Sequence, residues 1–473
     1  MKTISEYLED DLIKWSNKPY ITYMNKTYTF AEFIGDVKAL AKELLTHYKQ
    51  GSTFAVYSEN SYAWTVIDIA VQGYAGICVP IDKEWTVHDL TNTFNFIQID
   101  VCFYSSAMSE KVSEITDKFP KTDFICIDSE LGLLIEKGKI IDDSVLRSRD
   151  NVNETAKIIF SSGTTSVPKA IPLTQANLFN NWDTLYKRTP MTEKDISCIF
   201  LPLNHVYSGV ANFLYSIISG MRLYLCDDIK KHVNDIIKVR PTVVCTVPLL
   251  LKKMYQAMTS ELLEALQGIR FLYCGGSFTE PEIKKWFRDN NINLLEAYGT
   301  TETSSVIALD LLGEPELSSN GTVFENLDVK IIDADENGFG EILVKGGSRT
   351  EGYLNCHYNE RYFDESGYFH TGDIGKLDEK RRLYLRGRKK RMLETSDGKN
   401  VFADEIEELI LETGLINKVK VYLEEYKIAA QVYSNADESE IRAAVEKINE
   451  KLPHFKKIRH LHIKRDDLGS RLK

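Results

Sequence analysis

Apolar residues in the first part of the chain alternate between two patterns. Phe30 to Tyr48 and Trp64 to Val71 carry apolar side chains at helical spacing, whereas Phe54 to Tyr57 and Ile77 to Ile81 are short, nearly continuous apolar runs. A regular alternation of amphipathic helices with buried strands is typical of parallel βαβ units, whose helices cover both faces of a sheet. We therefore predict an α/β fold with doubly wound sheets in a large N-terminal domain.

The same alternation returns in the middle of the chain. Lys230 to Val239 and Leu249 to Met258 are predicted helices, while Pro241 to Val247 and Ile269 to Cys274 are predicted strands. The second strand runs directly into Gly275-Gly276. Because ligands of open α/β sheets bind beyond the carboxyl ends of the strands, a ligand crevice is expected in this sheet.

The pattern changes to short strands and turns after about residue 321. Val329 to Ile332 and Glu341 to Val344 flank a turn at Asp335 to Gly338, which predicts a small β-rich subdomain. Farther along, Ile406 and Ile410 lie on one face of a predicted helix that starts with acidic residues. We predict two domains, residues 1–386 and residues 387–473, the second being a small, mobile α+β domain.

Composition narrows the classes of function. A chain of 473 residues exceeds what one hydrophobic core usually supports, and its 43% hydrophobic and 27% charged residues are ordinary for a globular protein. The formal net charge of -11 argues against binding of nucleic acid. We find no stretch apolar enough for an integral membrane segment.

The cysteines favour a reducing environment. Eight occur, none of them in a CxxC pair, and most lie in apolar runs such as Ile125 to Ile127. This distribution predicts buried, reduced thiols rather than a disulfide framework or a zinc site, and it indicates a cytoplasmic location.

The strongest chemical signal is a polar loop between two apolar runs, Ile158 to Phe160 and Ala170 to Leu173. Its hydroxyls, a glycine that lets backbone amides point inward and one lysine suit a polyphosphate. The spacing is not that of a GxxxxGKS/T loop, and Thr174 is the expected N-cap of the next helix. A polar surface hairpin is the alternative. The loop residues with these groups are Ser161, Ser162, Gly163, Thr164, Thr165 and Lys169.

Four motifs follow this loop in a characteristic order. They are Tyr298-Gly299-Thr300-Thr301-Glu302, Phe369-His370-Thr371-Gly372-Asp373, Gly387-Arg388-Lys389-Lys390 and Gly398-Lys399-Asn400-Val401. Together with the loop they resemble the adenylate-forming (AMP-binding) superfamily, from about Tyr28 to about Ile458. The GKNV form is most similar to fatty acyl-CoA synthetases. The resemblance implies that ATP activates a small-molecule carboxylic acid, with a fatty acid expected, to an acyl-adenylate with release of pyrophosphate, after which the acyl group passes to CoA.

The resemblance also implies roles for residues near the phosphates. Thr164, Thr165 and Lys169 would contact the β- and γ-phosphates, Thr301 would lie on the side of the α-phosphate, and Glu302 would hold Mg²⁺ through a hard oxygen ligand. Outside this motif, Glu302 would read as an exposed loop acid.

Other residues are implied to bind the nucleoside and the acid. Asp373 would accept hydrogen bonds from both ribose hydroxyls, with Arg388 nearby, and Tyr298 would stack on adenine. His205 would orient the acid beside a pocket wall near Val210 to Leu214, although a lone histidine in an apolar run is more often a core residue. Backbone close to the nucleotide and the acyl group would come from Gly275, Gly276, Ser277, Gly299 and Thr300.

The second step is implied to use the C-terminal domain. Lys390 matches the hinge about which that domain rotates, and residues 398–400 would then line a tunnel for the pantetheine arm of CoA. The family's closing lysine, which bridges the carboxylate and the α-phosphate, is replaced by Ser470, so Lys464 or Lys473 would have to reach the site. Its loss would slow adenylation more than thioester formation.

Three hypotheses therefore stay open. The first is an ATP-dependent acid:CoA ligase. The second is an adenylating enzyme that delivers the acyl group to the phosphopantetheine of an acyl carrier protein. The third is a catalytically weak protein that binds a nucleotide or an acyl group.

Overall fold

Contacts divide the chain into two units. The computed structural model describes residues 1–161, 169–276, 279–313, 316–354, 359–394, 400–424, 427–452 and 456–465. The first unit comprises residues 1–328 and 344–369, and the second comprises residues 329–343 and 370–473. The small β-rich subdomain therefore groups largely with the C-terminal residues. The predicted boundary near Gly387 falls inside the second unit, within a strand.

The first unit contains two sheets in its described residues. Their strands are β1 (Pro19–Tyr23), β2 (Lys26–Thr29), β3 (Ser52–Tyr57), β4 (Gly76–Pro80), β5 (Val101–Tyr104), β6 (Asp123–Cys126), β7 (Thr155–Ser161), β8 (Lys169–Thr174), β9 (Ile196–Ile199), β10 (Arg222–Leu225), β11 (Val243–Thr246), β12 (Phe271–Gly275), β13 (Leu294–Tyr298), β14 (Ala308–Leu309) and β15 (Thr322–Val323).

The larger sheet has the order β15-β14-β13-β12-β11-β9-β10-β1-β2 among the described residues. The six strands from β13 to β1 in this order are parallel, and the strands at both edges are antiparallel. The other sheet has the order β6-β5-β3-β4-β7-β8, parallel except for the β7–β8 hairpin. The predicted doubly wound α/β architecture is confirmed.

Helices connect these strands and cover the sheets. They are α1 (Ile4–Glu6), α2 (Phe30–His47), α3 (Tyr62–Ala70), α4 (Val87–Phe96), α5 (Ser109–Thr116), α6 (Ile127–Lys139), α7 (Gln175–Phe179), α8 (Trp182–Arg188), α9 (Val206–Ser208), α10 (Tyr215–Ser219), α11 (His232–Val239), α12 (Pro248–Gln256), α13 (Ser260–Gln267) and α14 (Pro281–Asp289).

Short π- and 3₁₀-helical turns occur between the regular elements. The π-helical turns are Tyr7–Asp11, Val71–Ala75 and Gly209–Leu214, and the 3₁₀ turns are Leu12–Trp15, Ser106–Met108, Asp143–Val145, Ile229–Lys231, Thr301–Thr303, Asn359–Arg361 and Lys389–Arg391.

Local sequence explains where several helices begin. Thr29 accepts a hydrogen bond from the Glu32 amide at 3.2 Å, and the Glu32 carboxylate accepts one from the Thr29 amide at 2.7 Å, forming a capping box at the start of α2. Thr174 caps α7 in the same way with Asn177, which confirms the predicted N-cap. This cap fixes the point at which β8 leaves the sheet.

The second unit is built from short sheets and two described helices. Its strands are β16 (Asp328–Ile332), β17 (Gly340–Lys345), β18 (Phe369–Leu377), β19 (Leu383–Arg388), β20 (Met392–Glu394), β21 (Asn400–Phe402), β22 (Lys418–Glu424), β23 (Lys427–Ser434) and β24 (His460–Arg465), and its helices are α15 (Ala403–Leu411) and α16 (Glu438–Lys451). The sheets have the orders β16-β17-β18-β19, β20-β21 and β22-β23-β24. Ile406 and Ile410 of α15 are fully buried in the core that this helix shares with β22 and β23. The predicted α+β character of the C-terminal part is thus confirmed.

Two further predictions can be compared with the described residues. The seven cysteines among them are all free of disulfide bonds, and six of these are buried. In the described part of the chain, none of the helices has both the length and the apolar character that crossing a bilayer requires.

Candidate active site

The β7–β8 hairpin places the predicted phosphate loop. Ser161 and Lys169 are partners in the antiparallel register, so residues 162–168 connect two paired strand ends. The predicted residues Ser162, Gly163, Thr164 and Thr165 lie outside the described residues. Lys169 is described and half-buried.

The Tyr298–Glu302 motif forms a tight turn at the carboxyl end of β13. A Cβ on Gly299 would lie 1.4 Å from the Ser305 carbonyl oxygen, so only glycine fits there. Thr300 caps the 3₁₀ turn that contains Thr301 and Glu302. Ser304 and Ser305 have φ angles of 52° and 105°, and they turn the chain back so that the Ile307 amide donates to the Tyr298 carbonyl oxygen at 2.7 Å. Non-glycine residues with such angles concentrate at functional sites.

Tyr298 itself lies inward, with only 8% of its surface exposed. Thr301 and Glu302 are half-buried, so the turn presents hydroxyl and carboxylate groups rather than an aromatic face. The role of Tyr298 as a stacking platform for adenine stays a prediction.

Residues 350–354, which the sequence did not single out, link β8 to the Tyr298–Glu302 turn through hydrogen bonds. The Thr350 amide donates to the Glu302 carbonyl oxygen at 2.8 Å, and its hydroxyl donates to the Pro172 carbonyl oxygen at 2.6 Å. The Leu354 amide donates to the Ala170 carbonyl oxygen at 3.0 Å. Residues 350–354 therefore hold the predicted phosphate-binding and metal-binding elements side by side.

Tyr353, in the middle of this segment, contacts both predicted residues. Its hydroxyl donates to Glu302 Oε1 at 2.7 Å and accepts a hydrogen bond from Lys169 Nζ at 3.4 Å. The Lys169 ammonium group also lies 4.5 Å from the Tyr353 ring centroid and 3.5 Å from that of Tyr362. The structure thus brings Lys169 and Glu302 to the two sides of one tyrosine hydroxyl.

The glycine pair ends the neighbouring strand β12. A Cβ on Gly275 would lie 2.9 Å from the Ala297 carbonyl oxygen, and Gly276 has a φ of 86°, in the left-handed region that favours glycine. Ser277 lies outside the described residues. Because β12 and β13 are parallel neighbours, the glycine pair and the Tyr298 turn follow adjacent carboxyl ends, as predicted for the ligand crevice.

A small apolar cavity lies on the sheet near these strand ends. Its volume is about 10 Å³, space for roughly one water molecule, and Ala211 of the Gly209–Leu214 turn is one of its lining residues. The other lining residues are Leu185, Tyr207, Cys245, Tyr273, Ala297, Val306 and Leu309. The acid pocket expected near Val210 to Leu214 stays a prediction. His205, which was predicted to orient the acid, is exposed and precedes α9.

Two tyrosines give the cavity a polar component. The Tyr273 hydroxyl donates to Thr189 Oγ1 at 2.7 Å, which fixes its ring. The Tyr207 hydroxyl is buried beside the Cys245 thiol, and burial raises the pKa of Tyr207 well above its ordinary value.

The second unit contains Asp373 and Arg388. These residues are cross-strand partners in β18 and β19, and Arg388 Nε lies 3.2 Å from Asp373 Oδ1. The Asp373 side chain is 10% exposed, whereas that of Arg388 is 71% exposed. An anchored carboxylate beside an exposed guanidinium group can bind a hydroxyl-bearing anion.

The other C-terminal candidates are only partly described. Lys390 belongs to the 3₁₀ turn Lys389–Arg391, and of the loop 398–400 only Asn400 is described, at the start of β21. Lys464 is exposed on β24. Ser470 and Lys473 lie outside the described residues.

The donor chemistry around Glu302 fits Mg²⁺ bound together with phosphates. Within the described ranges there is no group of three or more His, Cys, Asp or Glu side chains that could hold a metal ion alone. Mg²⁺ commonly takes one or two carboxylates and completes its shell with substrate phosphates and water. One half-buried carboxylate beside a lysine is consistent with that arrangement.

Comparison with known proteins gives consistent matches. Residues 8–354 match the AMP-binding enzyme family. The chain is 27% identical to a 2-succinylbenzoate–CoA ligase of Oceanobacillus iheyensis, covering 95% of this chain and 90% of that protein. It is 24% identical to a long-chain-fatty-acid–CoA ligase of Mycobacterium bovis, covering 83% of this chain and 74% of that protein.

The fold is also that of a solved structure. The O-succinylbenzoate coenzyme A synthetase of Bacillus subtilis, in complex with ATP and a magnesium ion, superposes with a TM-score of 0.83. The two proteins are 21% identical, and the match covers 97% of this chain and 95% of the other. This likeness confirms the predicted arrangement of a large sheet domain followed by a smaller, β-containing C-terminal part.

Proposed function

The chain belongs to the AMP-binding enzyme family and is an adenylate-forming acid–thiol ligase, and on this premise we propose how its residues carry the reaction. In the first step a carboxylate oxygen of the acid attacks the α-phosphorus of ATP, and pyrophosphate leaves with an acyl-adenylate remaining. In the second step the thiol of CoA loses its proton and attacks the acyl carbon, forming a thioester and releasing AMP. Such a reaction depends mainly on positioning and charge neutralisation.

The phosphate end of ATP is proposed to bind between β8 and the turn after β13. Lys169, with Thr164 and Thr165, holds the β- and γ-phosphates, and Thr301 contacts the α-phosphate. Glu302 holds Mg²⁺, which neutralises charge on the phosphates. The observation that supports this assignment best is the contact of Lys169 and Glu302 with the same hydroxyl, that of Tyr353.

The nucleoside end is proposed to bind the remaining predicted residues. Asp373 accepts hydrogen bonds from the ribose hydroxyls and Arg388 lies beside it. Tyr298 and the backbone of the crevice approach the adenine and the acyl group, and His205 orients the acid. The backbone positions are Gly275, Gly276, Ser277, Gly299 and Thr300, and Ser161, Ser162 and Gly163 complete the phosphate loop.

Two classes of acid are candidates. A fatty acid is the class that the sequence predicts. An aryl acid is the other class, and either acid would require the tyrosines that line the cavity to move, because a volume of about 10 Å³ holds roughly one water molecule. We place the acid against the Gly209–Leu214 turn in either case.

Replacing Tyr207 by alanine is expected to move the preference toward longer acids. The change removes a phenol ring from the cavity wall, so acids with longer chains gain space. The acid that the wild type prefers loses contacts, and its kcat/KM should fall by about tenfold, the usual scale for one lost apolar contact. The rate of ATP–pyrophosphate exchange across acids of increasing length measures this shift. Tyr186→Ala, at an exposed tyrosine of α8, serves as the control. An unchanged length profile in Tyr207→Ala would place the acid elsewhere.

The proposed function itself is tested by carboxylate-dependent exchange of labelled pyrophosphate into ATP. Exchange supported by one class of acid is the expected result, and it also names the substrate. The experiment isolates the adenylation step, which the replacement of the closing lysine by Ser470 threatens most. Binding of ATP without exchange across fatty and aryl acids would instead favour the weak binding protein.

The acceptor and the moving domain belong to the same proposal. CoA is the proposed acceptor, and the phosphopantetheine of an acyl carrier protein is the alternative. Residues from 387 onward would rotate about Lys390 between the two steps, with the loop 398–400 lining the tunnel. Thioester formation from a supplied acyl-adenylate, with CoA or with a carrier protein, separates the two acceptors.

A further inference from the structure

The Tyr353 hydroxyl separates two opposite charges that would otherwise attract each other. A lysine ammonium group can only donate hydrogen bonds and a carboxylate can only accept them. The hydroxyl therefore has one possible polarity here: it accepts from Lys169 at 3.4 Å and donates to Glu302 at 2.7 Å. Its position satisfies both groups without joining them in a direct ion pair.

Tyr353 is itself held firmly in place. Its backbone amide donates to Asn359 Oδ1 at 3.0 Å, and Asn359 Nδ2 donates back to its carbonyl oxygen at 3.0 Å. Its ring is 5% exposed and packs edge to face on Tyr362, with centroids 5.2 Å apart. Because its backbone and its ring are both held, the Tyr353 side chain has little freedom to move. The positions of the Lys169 and Glu302 side chains must therefore fit that of the Tyr353 hydroxyl.

We propose that Tyr353 is a positioning residue that keeps the Glu302 carboxylate available to Mg²⁺ and the Lys169 ammonium group available to phosphate. This inference rests on the proposed function. If the two side chains paired directly, the ion pair would occupy the carboxylate oxygen that the metal needs and the protons that the phosphates need. The aromatic faces of Tyr353 and Tyr362 additionally hold the ammonium group by cation–π attraction, at 4.5 and 3.5 Å.

The variant Tyr353→Phe separates the hydroxyl from the ring. Phenylalanine retains the packing and the cation–π contact but lets Lys169 pair with Glu302. ATP affinity is measured by titration calorimetry with Mg²⁺ and again with a chelator in its place. In the wild type, Mg²⁺ is expected to strengthen ATP binding, and in Tyr353→Phe this gain is expected to fall by about tenfold, as for other groups that orient a metal ligand.

The matched control is Tyr368→Phe. That tyrosine belongs to the same unit and donates its hydroxyl to Asp328, so the substitution removes a hydroxyl of the same kind without touching Glu302. Its gain from Mg²⁺ is expected to equal that of the wild type. Thermal unfolding of the wild type and both variants checks that Tyr353→Phe is folded. If Tyr353→Phe does not fold, Tyr353→Trp, which also lacks the hydroxyl at that place, gives a second measurement.

The outcomes are distinct. A reduced Mg²⁺ gain in Tyr353→Phe alone supports the inference, whether or not pyrophosphate exchange is detected. An unchanged gain, or an equal loss of ATP affinity with and without Mg²⁺, overturns it even if the wild type is an active ligase. A wild type whose ATP binding ignores Mg²⁺ overturns it too, since Glu302 would then hold no ion.

Discussion

The variant Glu302→Ala is expected to lose about 100- to 1000-fold in Mg²⁺-dependent ATP turnover, the scale seen when one preorganised electrostatic group is removed. Glu302 offers a half-buried carboxylate at a turn fixed by Gly299 and by the cap at Thr300. Its backbone carbonyl is bonded to the Thr350 amide at 2.8 Å, so the side chain can be changed while the turn remains held. The loss should therefore fall on catalysis and not on folding. The rate of pyrophosphate exchange at saturating Mg²⁺ measures it.

Glu302→Gln refines this experiment. The amide oxygen can still accept the Tyr353 hydrogen bond, so only the negative charge disappears, and the loss should be nearly as large as in the alanine variant. Glu351→Gln is the control, since this acid is 90% exposed and lies 3.1 Å from Arg349. Retained turnover in Glu302→Gln would remove the metal assignment.

Local patterns in the sequence predicted most of the framework around this site. The helix expected from Phe30 to Tyr48 is α2, and the strand expected from Ile269 to Cys274 is β12, which ends at the predicted glycine pair. Such elements follow from side-chain periodicity over a few residues. The apolar runs Ile158 to Phe160 and Ala170 to Leu173, which flank the predicted phosphate loop, lie in β7 and β8.

Contacts between distant residues could not be predicted in this way. Tyr353 is 51 residues from Glu302 and 184 residues from Lys169 along the chain, and no local pattern marks it. Sheet pairing likewise groups residues 329–343 with the C-terminal part of the chain. The predicted boundary at residue 387 falls inside the strand β19. The exposure of His205 and the burial of Tyr298 also depend on which elements pack around them.

A buried ion pair beneath the Tyr298 turn was another feature that the sequence did not reveal. Lys284 of α14 lies 3.2 Å from Glu296 of β13, and their side chains are 3% and 1% exposed. Glu296 precedes Tyr298 by two residues, so the pair anchors the strand that presents the turn. Burial raises the pKa of Glu296 to about 7, and Lys284 opposes that rise.

The variant Lys284→Met is expected to lower the free energy of unfolding by about 3–5 kcal/mol at pH 8, because the buried Glu296 carboxyl group must then either stay ionised without its cation or take up a proton. In the unfolded chain the pKa of Glu296 is its ordinary value of 4.5, whereas burial keeps this group protonated up to about pH 7 in the folded chain. Between these values the folded state binds more protons, so stability falls as pH rises. Removing Lys284 raises the pKa of Glu296 in the folded state further, so the free energy of unfolding falls by more as the pH rises. The loss should consequently be smaller at pH 5.5, where the buried carboxyl group is largely protonated.

Urea denaturation at pH 5.5 and pH 8, followed by tryptophan fluorescence, measures this difference, since Trp286 lies on the same helix as Lys284. The control is Lys285→Met, because that neighbouring side chain is 62% exposed and pairs with Asp289 at the surface, where a pair contributes at most about 1 kcal/mol. Replacing both partners, as Lys284→Met with Glu296→Leu, should recover most of the stability, since no buried charge is then left alone. An equal loss at both pH values in Lys284→Met would mean that packing of the lysine stem, and not its charge, stabilises β13.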